Sequence, residues 1–233
     1  MLKIEKFVTM SPEQYEIVIE GMRNPKNSWD KIDSGICKGG DNGIGCENCA
    51  AAPCGHEFDH SYQFGVNDYG LMENLADGGP VHAKYRRMLI VYLTIRAPFY
   101  WWKEFDTYKV GTVCNSCSTM HKIHAKPFEL CDFSWERLTE DGLADLERTI
   151  DLLESNRQIF LTATDDDIKK LAWNEMIKLL PSCYEQKRTI MLNYEVLIGI
   201  YKWRRNHKLG EWHTFCDWIE ALPYSDLITG SRD

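Results

Sequence analysis

The sequence predicts an α+β domain with a small sheet in its N-terminal half and a mainly helical second half. Two short runs of apolar residues, 2–8 and 89–95, have the composition of strands and lie in the first half of the chain. Beyond residue 140, apolar residues recur at the spacing of amphipathic helices. Because helices outnumber strands, the expected architecture is a small sheet covered by helices.

The first elements carry local start signals. Residues 2–8 form a predicted strand, and Ser11-Pro12-Glu13-Gln14 then gives a capping-box start for a helix that runs to about Met22. From residue 23 to 64 the periodicity disappears and Gly, Asn, Asp and Cys accumulate. A segment of this length without regular structure is expected to be functional, stapled by a metal, or mobile.

The middle of the chain predicts four elements. Gly78-Gly79-Pro80 separates the first two, and Ala97-Pro98 ends the second, a buried strand. In order they are a short helix at 67–75, the strand at 89–95, a helix at 99–109 and a polar loop at 111–120.

The remaining chain is predicted to be helical almost throughout, at residues 140–160, 165–180, 184–204 and 210–221. In the last of these helices the rings of Trp212, Phe215 and Trp218 are spaced for a core or a subunit interface. The whole chain, 1–233, is predicted to be a single domain with a Cys-rich insertion at about 35–60.

Composition restricts the possible partners. The formal charge of −8 argues against a nucleic-acid polymer, because such proteins place Lys and Arg against phosphates. The longest apolar stretch, residues 88–95, is far shorter than the roughly 20 residues that span a bilayer, and the N-terminus lacks the apolar core of a signal peptide. The expected location is therefore the cytoplasm, with no membrane contact.

Nine cysteines in such a chain indicate reduced thiols or a metal. Cys37, Cys46, Cys49 and Cys54 could close a tetrahedral zinc site, with His56 and His60 as substitute ligands. An iron–sulfur cluster also uses four cysteines. The spacing fits no standard zinc finger, so a plain loop is the alternative.

The densest group of polar and aromatic residues lies at 101–122. Rings to stack on, hydroxyl groups and lysines would suit a planar heterocycle that carries a phosphate. The alternative is an aromatic core helix followed by a polar turn. The aromatic run after Pro98 also exceeds what one small core needs, which predicts that this helix takes part in subunit contacts.

Two separated groups of motifs resemble the flavin-dependent thymidylate synthases. In the first, Arg96-Ala97-Pro98 is followed by Thr107-Tyr108-Lys109 and then by Asn115-Ser116-Cys117-Ser118. In the second, Leu180-Pro181, Asn193-Tyr194-Glu195, Trp203-Arg204-Arg205 and Glu211-Trp212 keep the order of the family and nearly its spacing. The resemblance covers about residues 67–222 and leaves the Cys-rich segment without a counterpart.

The resemblance implies a reductive methylation. In that family a methylene group passes from methylenetetrahydrofolate to C5 of deoxyuridine monophosphate (dUMP), reduced FAD supplies the hydride, and NADPH recharges the flavin. It also implies a homotetramer, because the family builds each site from several subunits, and a small-molecule nucleotide as the partner.

Carried over position by position, the resemblance implies three sets of residues. Arg204, or Arg205 in the alternative register, would approach the pyrimidine and act in catalysis. The implied substrate-binding residues are Glu104, Asn115, Ser116, Cys117 and Ser118. The implied cofactor-binding residues are His82, Lys84, Tyr108, Lys109 and Asn193.

The sequence departs from the family where the chemistry would occur. Thr107-Tyr108-Lys109 stands where the family has Arg-His-Arg and leaves a single cation, and Glu195 replaces an Arg. These departures leave two alternatives open. One is an enzyme with another pyrimidine nucleotide or another one-carbon outcome, and the other is a non-catalytic nucleotide-binding or assembly protein on the same scaffold.

Overall fold

The computed structural model describes residues 1–36 and 62–230. Its strands are β1 (Lys3–Val8), β2 (Gly35–Ile36), β3 (Tyr62–Gln63), β4 (Ile90–Pro98), β5 (Val113–Ser116) and β6 (Glu185–Asn193). Its α-helices are α1 (Pro12–Arg23), α2 (Val66–Asp77), α3 (Phe99–Phe105), α4 (Glu140–Thr162), α5 (Asp166–Leu179), α6 (Tyr194–Arg204), α7 (Gly210–Glu220) and α8 (Asp226–Thr229). Short 3₁₀ turns occupy Asn24–Lys26, Trp29–Lys31, Lys84–Arg87 and Leu130–Asp132.

The predicted α+β class is confirmed. The main sheet has four antiparallel strands in the order β1-β4-β6-β5. The strand predicted at residues 89–95 is β4, and its inward side chains, including Val91, Leu93 and Ile95, are buried. A second, two-stranded sheet joins β2 to β3. The prediction of a single domain with an insertion at about 35–60 remains a prediction, because most of that segment lies outside the described residues.

The helix predicted at residues 184–204 was wrong in its first half. Glu185–Asn193 is strand β6, and only Tyr194–Arg204 is helical. Burial along β6 alternates, with Ile190 and Leu192 inside and Thr189 exposed, as expected for a strand with one face on the core. The loop predicted at residues 111–120 likewise contains a short strand, β5, and the helix predicted to reach Lys109 ends at Phe105.

The predicted helix starts are confirmed where a cap is encoded locally. The Ser11 side chain accepts a hydrogen bond from the backbone N–H of Gln14, whose own side chain bonds back to the backbone N–H of Ser11. Asp165 accepts from the backbone N–H groups of Asp167 and Ile168 at the start of α5. Both caps satisfy backbone donors that have no partner within the helix.

Two clusters of buried side chains hold the described residues together. The main cluster lies between the sheet and helices α1, α2, α3, α6 and α7, and the smaller one joins α4 and α5 to Phe133 and Tyr184. Trp101, Trp102 and Trp212 are fully buried in the main cluster. The aromatic residues after Pro98 therefore pack into the core of their own chain. Their number does not by itself require a contact with another subunit. Among the described helices, none is long and apolar enough to cross a membrane.

A buried ion pair fixes the segment before residue 36 to helix α2. Asp68 is completely buried and accepts a hydrogen bond of 2.7 Å from Arg23 Nε. Its other oxygen accepts from the backbone N–H groups of Asp33 and Ser34 and from the Ser34 hydroxyl. A carboxylate removed from water in this way needs all of these donors to offset its lost hydration.

We expect Asp68→Ala to lower the free energy of unfolding by about 3–5 kcal/mol, because it leaves the Arg23 guanidinium buried without its partner. Urea denaturation followed by circular dichroism measures the change. Asp30→Ala is the control, since Asp30 is exposed and its loss should change stability by less than about 0.5 kcal/mol. Equal effects of the two substitutions would contradict this account of the Asp68 network.

Candidate functional site

The carboxylate of Glu104 is the meeting point of three distant parts of the chain. Its Oε2 atom accepts from Arg204 Nη1 at 2.7 Å and from the indole N–H of Trp212 at 2.9 Å. His207 Nε2 lies 3.4 Å from the same oxygen. His207 Nδ1 accepts from the backbone N–H of Leu209, which assigns the ring proton to Nε2 and makes that nitrogen a donor. Glu104 thus fixes α3 against α6 and α7.

The guanidinium of Arg204 is held in one orientation. Its Nε donates to the hydroxyl of Tyr108 at 3.0 Å, and its carbon lies 4.7 Å from the centre of the Trp212 ring and 5.7 Å from that of Tyr108. An arginine carries five N–H donors. Within the described residues, the hydrogen bonds of Arg204 involve only Nε and Nη1, so both N–H groups of Nη2 are available to a ligand.

A cavity of about 280 Å³ lies beside this cluster. Tyr108 both lines it and bonds Arg204, so the cavity and the arginine share one side chain. The hydroxyl oxygen of Thr112, also in the lining, is buried and has no hydrogen-bond partner in the part of the chain that the structure describes. The complete lining is Phe105, Asp106, Tyr108, Lys109, Thr112 and Cys114.

Gly111 lets the loop that carries Tyr108 and Lys109 rest on the first turn of α6. Its φ of +83° lies in the left-handed region that favours glycine. A Cβ atom at this position would lie 2.8 Å from Nδ2 of Asn193. Asn193 caps α6, because its Oδ1 accepts from the backbone N–H of Val196 at 3.1 Å. Gly111 therefore holds the loop that carries Lys109 close to Asn193, and both of these residues are predicted cofactor-binding positions.

Arg188, which was not predicted as a site residue, contacts two residues of the cavity lining, Asp106 and Cys114. Its Nη1 lies 2.8 Å from Asp106 Oδ1 and 3.8 Å from Cys114 Sγ, and its guanidinium stacks on the Trp102 ring at 4.3 Å. Its Nε donates to Gln186 Oε1. The residue was missed because its segment was predicted to be a helix. No local sequence signal marks it, because the composition of residues 185–193 also suits a helix and the burial of their side chains is known only from the structure.

The two candidate arginines lie in different environments. Arg205 turns to the surface and pairs with Asp217 at 2.7 Å and with Glu220 at 3.1 Å. The hydrogen bond to Asp217 raises the pKa of Arg205 and keeps it charged. The sequence left the choice between Arg204 and Arg205 open. Arg204 is the one that contacts both Glu104 and Tyr108.

The four predicted substrate-binding residues at 115–118 form an exposed edge. Asn115 and Ser116 lie on β5, opposite Thr189 and Arg188 of β6. Cys117 continues this pairing by donating its backbone N–H to the carbonyl of Lys187 at 2.9 Å. The Ser118 hydroxyl accepts from the backbone N–H of Lys122 at 3.3 Å.

The other predicted positions lie elsewhere or outside the described residues. His82 and Lys84 are exposed and precede β4, and the His82 ring packs beside Gly78 at the end of α2. Within residues 1–36 and 62–230, no group of three or more His, Cys, Asp or Glu side chains is arranged to hold a metal. The predicted zinc ligands Cys37, Cys46, Cys49 and Cys54, with His56 and His60, lie outside the described residues.

Comparison with solved structures finds the same fold in an enzyme. A crystal structure of thymidylate synthase X from Helicobacter pylori, with FAD and dUMP, matches with a TM-score of 0.55 at 15% identity over 98% of this chain and 95% of that one. A second structure of flavin-dependent thymidylate synthase from Helicobacter pylori, also with FAD and dUMP, gives a TM-score of 0.52 at 15% identity over 98% and 96% of the two chains. No family model matches the sequence, and no curated protein matches it. The likeness shows a shared scaffold.

We expect Gly111→Ala to destabilise the protein more than Gly79→Ala does. Both glycines have a positive φ, so both substitutions should cost about 1 kcal/mol for the backbone conformation. Gly79 has open space where a Cβ would stand, whereas Gly111 would press on Asn193 and disturb the cap, at an additional cost of about 1 kcal/mol. Denaturant unfolding measures the loss of unfolding free energy in each variant, and the difference between the two losses is the steric contribution at Gly111. Equal losses would show that the loop does not rest on Asn193.

Proposed function

We propose that this protein is a divergent enzyme of the flavin-dependent thymidylate synthase type, which binds dUMP and FAD and methylates the pyrimidine at C5. The observation that carries the proposal is the geometry of Arg204. Its guanidinium is anchored by Glu104 and by Tyr108, which also lines a cavity, and the guanidinium leaves the Nη2 donors free. The shared scaffold with proteins whose structures contain FAD and dUMP supports the same reading.

In this proposal, Arg204 binds the pyrimidine and favours the transition state. The two free N–H groups of Nη2 diverge in the plane of the guanidinium, so one can donate to a carbonyl of a uracil ring while the other reaches a second acceptor. A cation held in place where negative charge develops on the ring lowers the barrier without reorganising during the reaction. Glu104 and Tyr108 act as positioning residues, because they contact the arginine and fix the direction of its free edge.

The cavity residues fit a flavin or a phosphate in their chemistry. The buried Thr112 hydroxyl lacks a partner among the described residues, and Lys109 supplies the positive charge of the lining. Bound FAD would supply the hydride, with methylenetetrahydrofolate as the one-carbon donor and NADPH as the reductant. We place the cofactor near Tyr108, Lys109 and Asn193, and the nucleotide phosphate near Ser116 and Ser118.

The size of the cavity supports a site shared between subunits. Ligand pockets typically have volumes of about 300–1,000 Å³, and about 280 Å³ in one chain accommodates only part of a dinucleotide. We therefore propose a homotetramer in which a neighbouring copy completes the site. The cysteines within the described residues are free thiols, which supports a cytoplasmic location for the assembly.

A related enzyme with a different pyrimidine nucleotide is the second candidate. One observation favours it: Asp106 pairs with Arg188 at the cavity wall, so part of the positive charge there is already neutralised. Lys109 is the one lysine in the lining. It should bind a doubly charged phosphate more weakly than the three cationic side chains of the family motif would. A non-catalytic nucleotide-binding protein on this scaffold would share the nucleotide site and lack the flavin.

We expect Arg204→Ala to weaken dUMP binding by about tenfold to hundredfold, the range expected when a charge-assisted hydrogen bond is lost. Arg205→Ala is the matched control, since Arg205 pairs with Asp217 and Glu220 at the surface, and it should bind like the wild type. Arg204→Lys keeps the positive charge and loses the planar pair of N–H donors, so its affinity for dUMP should lie between those of the two alanine variants. Calorimetric titration with dUMP measures all four proteins. Equal affinities would rule out the proposed role of Arg204, and an absence of binding by the wild type would reject dUMP as the ligand.

The purified protein should elute as a tetramer that absorbs visible light, because oxidised flavin is yellow. Size-exclusion chromatography with light-scattering and absorbance detectors measures both properties in one run, and mass spectrometry then identifies the released cofactor. A colourless protein that remains colourless after incubation with FAD would contradict the enzyme proposal and favour a non-catalytic binding protein. A monomeric mass would contradict the shared site.

A further inference from the structure

A second concavity, of about 320 Å³, lies between helix α1 and the 3₁₀ turn Trp29–Lys31. It shares no lining residue with the cavity beside Arg204. Its volume falls in the range of small-molecule sites. The lining residues are Glu16, Glu20, Trp29, Ile32, Ser34 and Tyr62.

One wall of this concavity is negatively charged. Glu16 and Glu20 are one helical turn apart on α1, so their carboxylates project from the same face. Both are exposed, and neither forms an ion pair with a residue in the described part of the chain. The wall therefore repels anions and offers two carboxylates to a cation.

Trp29 and Ile32 give the concavity an aromatic and apolar part, and the Trp29 ring is held in place. Trp29 is 47% exposed, which is unusual for so large an apolar ring. Its indole N–H donates to Asn24 Oδ1 at 2.8 Å, and this bond fixes the plane of the ring. Ile32 adds apolar surface and is 38% exposed. An exposed, oriented indole presents the negative face of its π-system to a ligand.

A largely buried tyrosine, Tyr62, also lines the concavity. Tyr62 is only 5% exposed, and its Oη has no hydrogen-bond partner among the described residues. Burial raises the pKa of Tyr62, and the charges of Asp68 and Glu16 raise it further, so the phenol stays neutral. A neutral phenol oxygen has lone pairs that can accept a hydrogen bond from a ligand N–H.

We propose that this concavity is a binding site for a small organic polycation, of the class of linear aliphatic diamines and polyamines. An ammonium group on such a chain can pair with Glu16 or Glu20, while Trp29 attracts a second one by a cation–π interaction. The methylene groups between the charges contact Ile32 and the indole ring. Tyr62 Oη accepts a hydrogen bond from one of the ammonium groups. This site is independent of the nucleotide site proposed above.

The chemistry of the lining disfavours anions and neutral apolar ligands. An anion meets two carboxylates and finds no cationic side chain in the lining. A neutral apolar ligand would displace water from the carboxylates and from the Tyr62 hydroxyl without replacing their hydrogen bonds. A protonated diamine satisfies the carboxylates, the indole face and the phenol oxygen together.

Calorimetric titration of the full-length protein with 1,4-diaminobutane tests the proposal, with uncharged 1,4-butanediol as the comparison ligand. We expect the diamine to bind with a Kd below about 1 mM at low ionic strength, and the diol to give no measurable binding. The double variant E16Q/E20Q should weaken diamine binding by about tenfold or more, because each lost carboxylate removes a charge-assisted hydrogen bond. W29A should weaken it by at least about twofold, the low end of a cation–π contribution.

A matched control separates a built site from general attraction between opposite charges. Glu147 and Asp151 are an exposed acidic pair with the same spacing on α4, so E147Q/D151N makes the same change in net charge. We expect this variant to bind the diamine like the wild type. The proposal is overturned if the diamine does not bind, if the diol binds equally well, or if the two double variants lose affinity to the same extent. Loss of dUMP binding in any of these proteins would concern the other site and leaves the diamine result unaffected.

Discussion

The pairing of β4 with β6 is the constraint on which the rest of the structure depends. Its register runs without interruption from Ile90 opposite Asn193 to Pro98 opposite Glu185. Because side chains alternate between the faces of a sheet, a shift by one residue would turn Ile190 and Leu192 away from the core. The register also sets where α3 and α6 begin, since α3 follows Pro98 and α6 follows Asn193. These starting points lie at opposite ends of the paired strands. From them the helices bring Glu104 and Arg204 together.

The features that sequence analysis predicted correctly are those encoded within a few residues. The capping box at Ser11 and the acidic cap at Asp165 satisfy local backbone donors, so their helices could be placed without knowledge of the fold. The strand before Pro98 is apolar along most of its length and ends at a residue that cannot continue the ladder. The small sheet and the largely helical second half followed from these signals together.

The features that sequence analysis missed depend on partners far along the chain. β6 is a strand because β4 and β5 hydrogen-bond to its two edges, and this pairing outweighs a composition that also suits a helix. Arg204 and Trp212 lie 100 and 108 positions after Glu104 in the chain. Nothing near Glu104 in the sequence therefore identifies these two residues as its partners. For the same reason the two adjacent arginines could not be told apart by spacing, although one of them faces Glu104 and the other the surface.

The contacts of Arg204 with Glu104, Tyr108 and Trp212 have a consequence for the entropy of binding. A free arginine side chain has about 2 kcal/mol of rotamer entropy, which is lost when a ligand fixes it. In this protein the ion pair to Glu104, the bond to Tyr108 and the stacking on Trp212 have already removed much of that freedom during folding. An incoming ligand therefore meets a donor that is already ordered, and more of the contact energy appears as affinity. The same ordering narrows the range of ligand shapes that the arginine can accept, because the direction of its free edge is fixed before binding.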